Sequence, residues 1–287
     1  MKQRIITGGL LLAILIPLSI WGSALSHLVI FIVIAALGLC EVGAMFAAKA
    51  DAKGEGNAKV GAKVNGFGIS IGTAYLCALW FGTLAMGIFA LVAGLALLFL
   101  GEMRRGVQDD TLARLSSTIF AVCYIYLGWG FLLLIHQGWG ADAISGDARL
   151  LLLYLILVVK ITDIGAYFTG SWIGKHKAFP KLSPKKTWEG CIGGVVWALA
   201  LSFIYMFAND FEVSGISFSP LHVVVLSVCL SITGIFGDLA ESLLKRAGKV
   251  KDSGRAVKGM GGFLDVIDSI LFTAPVMYAY VMYVMAA

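Results

Sequence analysis

Charge is scarce in this chain. Only 14% of its 287 residues are Asp, Glu, Lys or Arg, against about 25% in soluble globular domains. The deficit excludes an ordinary soluble fold. The five cysteines (Cys40, Cys77, Cys123, Cys191, Cys229) lie in apolar segments, and none pairs in a C-x-x-C spacing. That excludes a disulfide framework or a zinc site and leaves them as small buried hydrophobes. No fixed-period repeat is found, and no Ser/His/Asp triad. The longest polar stretch is about twenty residues, too short for a soluble domain.

What the chain has instead is apolar length. It is 59% hydrophobic, and several runs reach the ~20 residues needed to cross about 30 Å of hydrocarbon. The runs are continuous rather than alternating, so a β-barrel is excluded. The expected fold is an all-α polytopic integral membrane protein with about nine transmembrane helices. They are expected near 5–21, 25–47, 67–81, 83–100, 115–135, 150–172, 190–208, 221–242 and 266–286. Lys2 and Arg4 precede an apolar run in the manner of a signal peptide. No convincing cleavage site follows, so this run is expected to be a retained first helix.

The basic residues set an orientation. With a cytoplasmic N-terminus and alternating connections, 20 of the 22 Lys and Arg fall on the cytoplasmic side. The exceptions are Arg149 and Lys160. By the positive-inside rule this bias predicts that orientation, and an inner face suited to anionic headgroups. Two regions are expected: residues 1–145, about five helices, and residues 146–287, with two basic cytoplasmic loops and the candidate site.

A few charges lie where lipid is expected. Lys160 and Asp163 interrupt the sixth span, and a central charge costs about 2.5–3.5 kcal/mol on insertion scales. Three residues apart, they share a helical face and can pair. Asp163 can equally reach an ion site near the inner end. Glu41, in the second span, reads as a buried packing partner.

The densest patch runs from 237 to 269. It holds five carboxylates (Asp238, Glu241, Asp252, Asp265, Asp268) and six Lys or Arg, separated by glycines. Asp238, Glu241 and Lys245 fall on one face of the eighth span. Asp265 and Asp268 open the ninth, after Gly259, Gly261 and Gly262. A helix start behind a glycine-rich turn suits anions, and clustered carboxylate oxygens suit Mg²⁺. A second basic loop, GKHKAFPKLSPKKTWEG at 174–190, is stiffened by Pro180 and Pro184. Its hydroxyls and paired lysines before a helix suit a polyphosphate. His176 is better placed to touch phosphate weakly than to act as a base.

Residues 237–269 resemble the signature of the phosphatidate cytidylyltransferases (CDP-diacylglycerol synthases). Ser242, Leu244, Lys245, Arg246, Lys251, Asp252, Gly254, Gly259, Gly261, Gly262, Phe263, Asp265, Ile267 and Asp268 fall in register with it. Ser183–Gly190 and Asp163–Phe168 match upstream segments. In the N-terminal half only the pattern of spans is similar. There are three departures: Lys258 replaces a proline, Met260 a histidine and Val266 an arginine.

The resemblance implies transfer of CMP from CTP to phosphatidate, giving CDP-diacylglycerol and pyrophosphate for phospholipid synthesis. It implies metal binding by Asp238, Asp265 and Asp268, with Mg²⁺ as cofactor and a second cation left open. Catalytic roles would fall to Asp163, Lys245, Arg246, Lys251 and Asp252. CTP and lipid phosphates would be held by Ser183, Lys185, Lys186, Thr187, Lys245, Arg246, Lys251, Gly261 and Gly262. The implied partners are CTP, phosphatidate or a related lipid phosphate, membrane lipids and a second copy of the chain, with no nucleic acid. The implied location is the cytoplasmic membrane, with the site facing the cytoplasm. An atypical paralogue using another lipid phosphate, or impaired in catalysis, is the alternative; a transporter is a third.

Overall fold

The computed structural model describes residues 24–51, 58–138, 147–250, 253–254 and 262–285. In order the helices are α1 (Ala24–Asp51), α2 (Ala58–Phe81), α3 (Leu84–Arg105), α4 (Thr111–Val122) and α5 (Gly128–Gln137). They continue as α6 (Arg149–Ile173), α7 (Trp188–Ala208), α8 (Pro220–Ala247) and α9 (Leu264–Tyr280). A π-helical turn, Cys123–Leu127, joins α4 to α5, and a second, Val281–Met285, extends α9. Among the described residues, seven helices are long and apolar enough to cross a membrane, α4 and α5 counting as one, with Gly66–Phe81 of α2 as a shorter apolar segment. The chain is an all-α polytopic membrane protein. Eight of the nine expected spans fall on these helices; the first, 5–21, lies outside the described residues.

Helix ends follow local chemistry. The Thr83 hydroxyl accepts from the Met86 amide at 3.2 Å and starts α3. Gly106, at φ +74°, ends it. The basic loop expected at 174–190 is a hairpin, with β1 (Lys177–Phe179) antiparallel to β2 (Ser183–Thr187). Pro180 sits second in its turn, which the Leu182 amide closes onto Phe179 O at 3.1 Å, the position its fixed φ favours. A smaller ribbon pairs β3 (Glu212–Val213) with β4 (Ile216–Ser217).

The chain divides into two units. The first comprises residues 1–133 and 244–267. Lipid is as apolar as leucine, so its helices associate by close packing rather than by burial from water. Gly72 has no room for a Cβ because the Tyr126 ring of the π turn lies against it. Leu39, Leu76, Leu79 and Ile125 are fully buried. Trp129 Nε1 donates to Phe31 O at 2.8 Å.

The second unit comprises residues 134–243 and 268–287. Here α6 and α7 meet along small residues: Gly193 against Thr169, Gly165 against Trp197, Gly194 against Thr162 O. Buried hydroxyls bond across the helices, as intramembrane polar groups must. Tyr154 Oη lies 3.1 Å from Ser202 Oγ and 3.3 Å from Ser227 Oγ. Thr162 Oγ1 lies 3.1 Å from Ser231 Oγ.

Candidate functional site

Within the second unit, α8 and α9 approach closely at Gly237. A Cβ there would lie 2.7 Å from Asp268 O and 2.8 Å from Ser269 Cα. Only glycine permits that spacing, and it sets Asp238 beside Asp268. One turn along α8, Glu241 joins them. Ligand-capable oxygens of Asp238, Glu241 and Asp268 all lie within 4.8 Å of one another. Asp268 and Glu241 are buried, at 3% and 1% exposure.

Three carboxylates this close repel. At an effective dielectric near 20, each pair at such a distance costs about 3.5 kcal/mol. Lys186, at the end of β2, answers part of it: its Nζ lies 2.5 Å from Asp238 Oδ2. Lys160 and Asp163 of α6 also act electrostatically on Asp268. Asp163 itself feels Lys160, Asp238 and Lys186. The donor set is hard, oxygen-only and convergent, so it fits a divalent cation.

The remaining part of the β1–β2 hairpin is anchored at its base. Thr187 is buried and caps α7, accepting from the Gly190 amide at 3.1 Å. Glu189 accepts from the Lys175 and His176 amides at 3.2 Å, and its Oε1 lies 2.6 Å from His176 Nδ1. His176 thus secures the hairpin. Lys185 is exposed and Ser183 half-buried on β2.

In the first unit a separate network holds the start of α9. Glu41, from α1, accepts from the Phe263 amide at 2.7 Å and the Leu264 amide at 2.8 Å. These are first-turn donors with no partner inside the helix. Asp265 accepts from the Gly262 amide at 2.7 Å, and its Oδ1 lies 2.6 Å from Lys245 Nζ. Ser253 Oγ lies 3.0 Å from Glu41 and 2.8 Å from Asp265, so its one proton can serve either. Both Asp265 oxygens therefore have partners within the chain.

Of the residues expected at the site, Asp238 and Asp268 come together with Lys186 and Asp163 near. Asp265 and Lys245 pair with each other, Arg246 is exposed at the end of α8, and the Gly262 amide holds Asp265. Lys251, Asp252 and Gly261 lie outside the described residues, as do Met260 and Lys258. Two residues gained a role the sequence had not assigned. Glu241 is the third carboxylate of the cluster, although its spacing from Asp238 had put both on one face. Glu41 holds the start of α9; its only signal was a carboxylate in an apolar span.

The model of the cytidylyltransferase family matches residues 2–284. The chain belongs to this family. A cytidylyltransferase relative, the phosphatidate cytidylyltransferase of Haemophilus influenzae, is 44% identical over 126 residues, 44% of this chain and 43% of that protein. The phosphatidate cytidylyltransferase of Bacillus subtilis is 43% identical over 125 residues, 44% of this chain and 45% of that one. The uncharacterized protein YnbB of Escherichia coli is 34% identical over 205 residues, 68% of this chain and 63% of that protein. The chain spans about half the length of the curated phosphatidate cytidylyltransferases it matches.

Proposed function

We propose that this cytidylyltransferase-family protein joins CTP and phosphatidate to give CDP-diacylglycerol and pyrophosphate. The observation that carries the reading is the cluster of half-buried Asp238 with buried Glu241 and Asp268, Lys186 lying against it. Family membership and the names of the relatives support the substrate pair. A lipid phosphate oxygen attacks the α-phosphorus of CTP in line. The bond to the β-phosphate breaks, and pyrophosphate leaves with its electron pair. Since the nucleophile is on the substrate, the protein's task is positioning and charge neutralisation.

Asp238, Glu241 and Asp268 would hold Mg²⁺, which neutralises charge on the transferred and leaving phosphates when bound. Asp265, expected beside them, is assigned to a second cation, or to orienting Lys245 while that ion pair stands. Lys185, Lys186, Lys245, Arg246 and Lys251 would hold the phosphates of CTP and lipid. Ser183 and the amides of Gly261 and Gly262 add donors. Asp163 tunes the Lys186–Asp238 pair, Thr187 fixes the hairpin, and Asp252 orients Lys251. The concentration of Lys and Arg on alternate connections supports a cytoplasmic N-terminus and a cytoplasmic-facing site in the inner membrane. A homodimer is part of the same proposal.

A second reading, that the acceptor is another lipid phosphate, is favoured by Met260 and Val266, which replace the imidazole and guanidinium of the signature. Purified protein with labelled CTP, Mg²⁺ and a panel of lipid phosphates tests both. CDP-diacylglycerol formed from phosphatidate supports the first. Turnover only with another lipid phosphate supports the second, and no CDP-lipid with any acceptor refutes both.

A further inference from the structure

The first unit contains a cavity of about 160 Å³ between α2, α3 and α4, lined by Phe67, Leu98, Gly101, Glu102, Arg105, Arg114 and Thr118. None of these is a residue of the candidate site. Arg114 is 3% exposed. One of its Nη atoms pairs with Glu102 and the other with Asp110. Its third nitrogen, Nε, is buried and has no acceptor among the described residues. A buried donor left unsatisfied costs about 1–3 kcal/mol, more for a charged group. The cavity therefore calls for an acceptor.

The acceptor's chemistry can be narrowed. Glu102 and Asp110 balance Arg114 and Arg105, whose Nη1 lies 3.5 Å from Glu102, so a further anion would be in excess. A neutral oxygen suits Nε better. Leu98, Phe67 and the bare backbone of Gly101 supply an apolar stretch of wall beside Thr118 and Arg105. The volume is close to that of the engineered cavity of about 150 Å³ that admits benzene, room for about six carbons. Arg105 ends α3 and Arg114 lies in the first turn of α4. This is the level where a span meets the interface, and where lipid ester groups sit.

We propose that this cavity binds one acyl ester chain of a membrane glycerolipid. Its carbonyl oxygen accepts from Arg114 Nε–H, and the first carbons of the chain lie over Gly101. The site is a lipid-binding position separate in its residues from the carboxylate cluster.

The test uses the full-length protein in detergent and two single-chain probes. One is a 1-acyl lysophosphatidylcholine; the other is its 1-alkyl ether, which lacks the carbonyl. Binding is read by native mass spectrometry on wild type and on Gly101→Leu, which fills the cavity. A Cβ at Gly101 meets only Phe67, at 3.7 and 3.9 Å, so the backbone need not move. Wild type should bind one acyl probe per chain, with the ether bound about tenfold or more weakly, the loss of one charged-donor hydrogen bond. Gly101→Leu should lose the acyl probe while keeping its melting temperature. If that variant does not fold, Gly101→Val serves in its place. Equal binding of ester and ether, or undiminished binding by the filled variant, would overturn the proposal.

Discussion

Gly237→Ala isolates the geometry of the carboxylate cluster without touching a carboxylate. The added methyl would sit 2.8 Å from Ser269 Cα and 2.7 Å from Asp268 O, both backbone atoms. Carbon pairs rest near 3.5 Å or more, so the two helices must part by about 0.7 Å. Overpacking of this kind costs about 1–3 kcal/mol. The larger effect is on the cluster, since a misplacement near 1 Å can cost about 100-fold in rate. The internal control is Gly234→Ala, one turn earlier on the same face of α8. There a Cβ meets Thr273 Cγ2 at 3.6 Å, an ordinary contact, and helix propensity favours alanine by up to about 1 kcal/mol. The assay is Mg²⁺-dependent CDP-lipid formation, with a thermal melt in the same detergent. Gly237→Ala should lose at least about tenfold in rate, and Gly234→Ala should keep its rate and its melting temperature. Equal behaviour of the two variants would refute the reasoning, because only the close approach distinguishes them.

Other expectations follow from the same contacts. Glu241→Gln should raise the Mg²⁺ concentration for half-maximal rate by about tenfold or more, since it removes one charged oxygen donor; an unchanged Mg²⁺ titration would exclude Glu241 from the ligand set. Asp268→Asn should cut the rate by about 100-fold or more, the scale of lost electrostatic stabilisation at a reacting phosphate, without lowering the melting temperature, because it relieves repulsion from Asp238 and Glu241. Glu41→Ala should destabilise by ~3 kcal/mol or more, leaving the Phe263 and Leu264 amides without their acceptor; a melt equal to wild type would contradict the capping role. His176→Ala should leave the rate within about twofold, as an exposed ion pair contributes little; a loss of two orders of magnitude would contradict this.

How much of this was legible in advance depends on the range of the interaction. Apolar run length alone placed the helices, because the bilayer thickness fixes their size. The i, i+3 spacing put Asp238 and Glu241 on one face, and that face is where the cluster forms. The β1–β2 hairpin was not legible: strands as short as Lys-Ala-Phe and Ser-Pro-Lys-Lys-Thr show no sustained alternation, and only Pro180 marks the turn. The partners of Asp265 were hidden for another reason. Lys245 is 20 residues away and Ser253 is 12, and no periodicity links them. Glu41 was the hardest, since its donors lie 222 and 223 residues further on.

That last separation bears on how the protein is made. Glu41 enters the bilayer with the span Leu25–Ala47, long before Phe263 and Leu264 have been synthesised. Through most of translation the nascent chain carries an acidic group whose eventual donors do not yet exist. The start of α9, arriving 222 residues later, supplies them and seals that position. Until residues 263 and 264 have been made, Glu41 stands in its span without the two amides that come to hold it, so the start of α9 completes a segment inserted long before it.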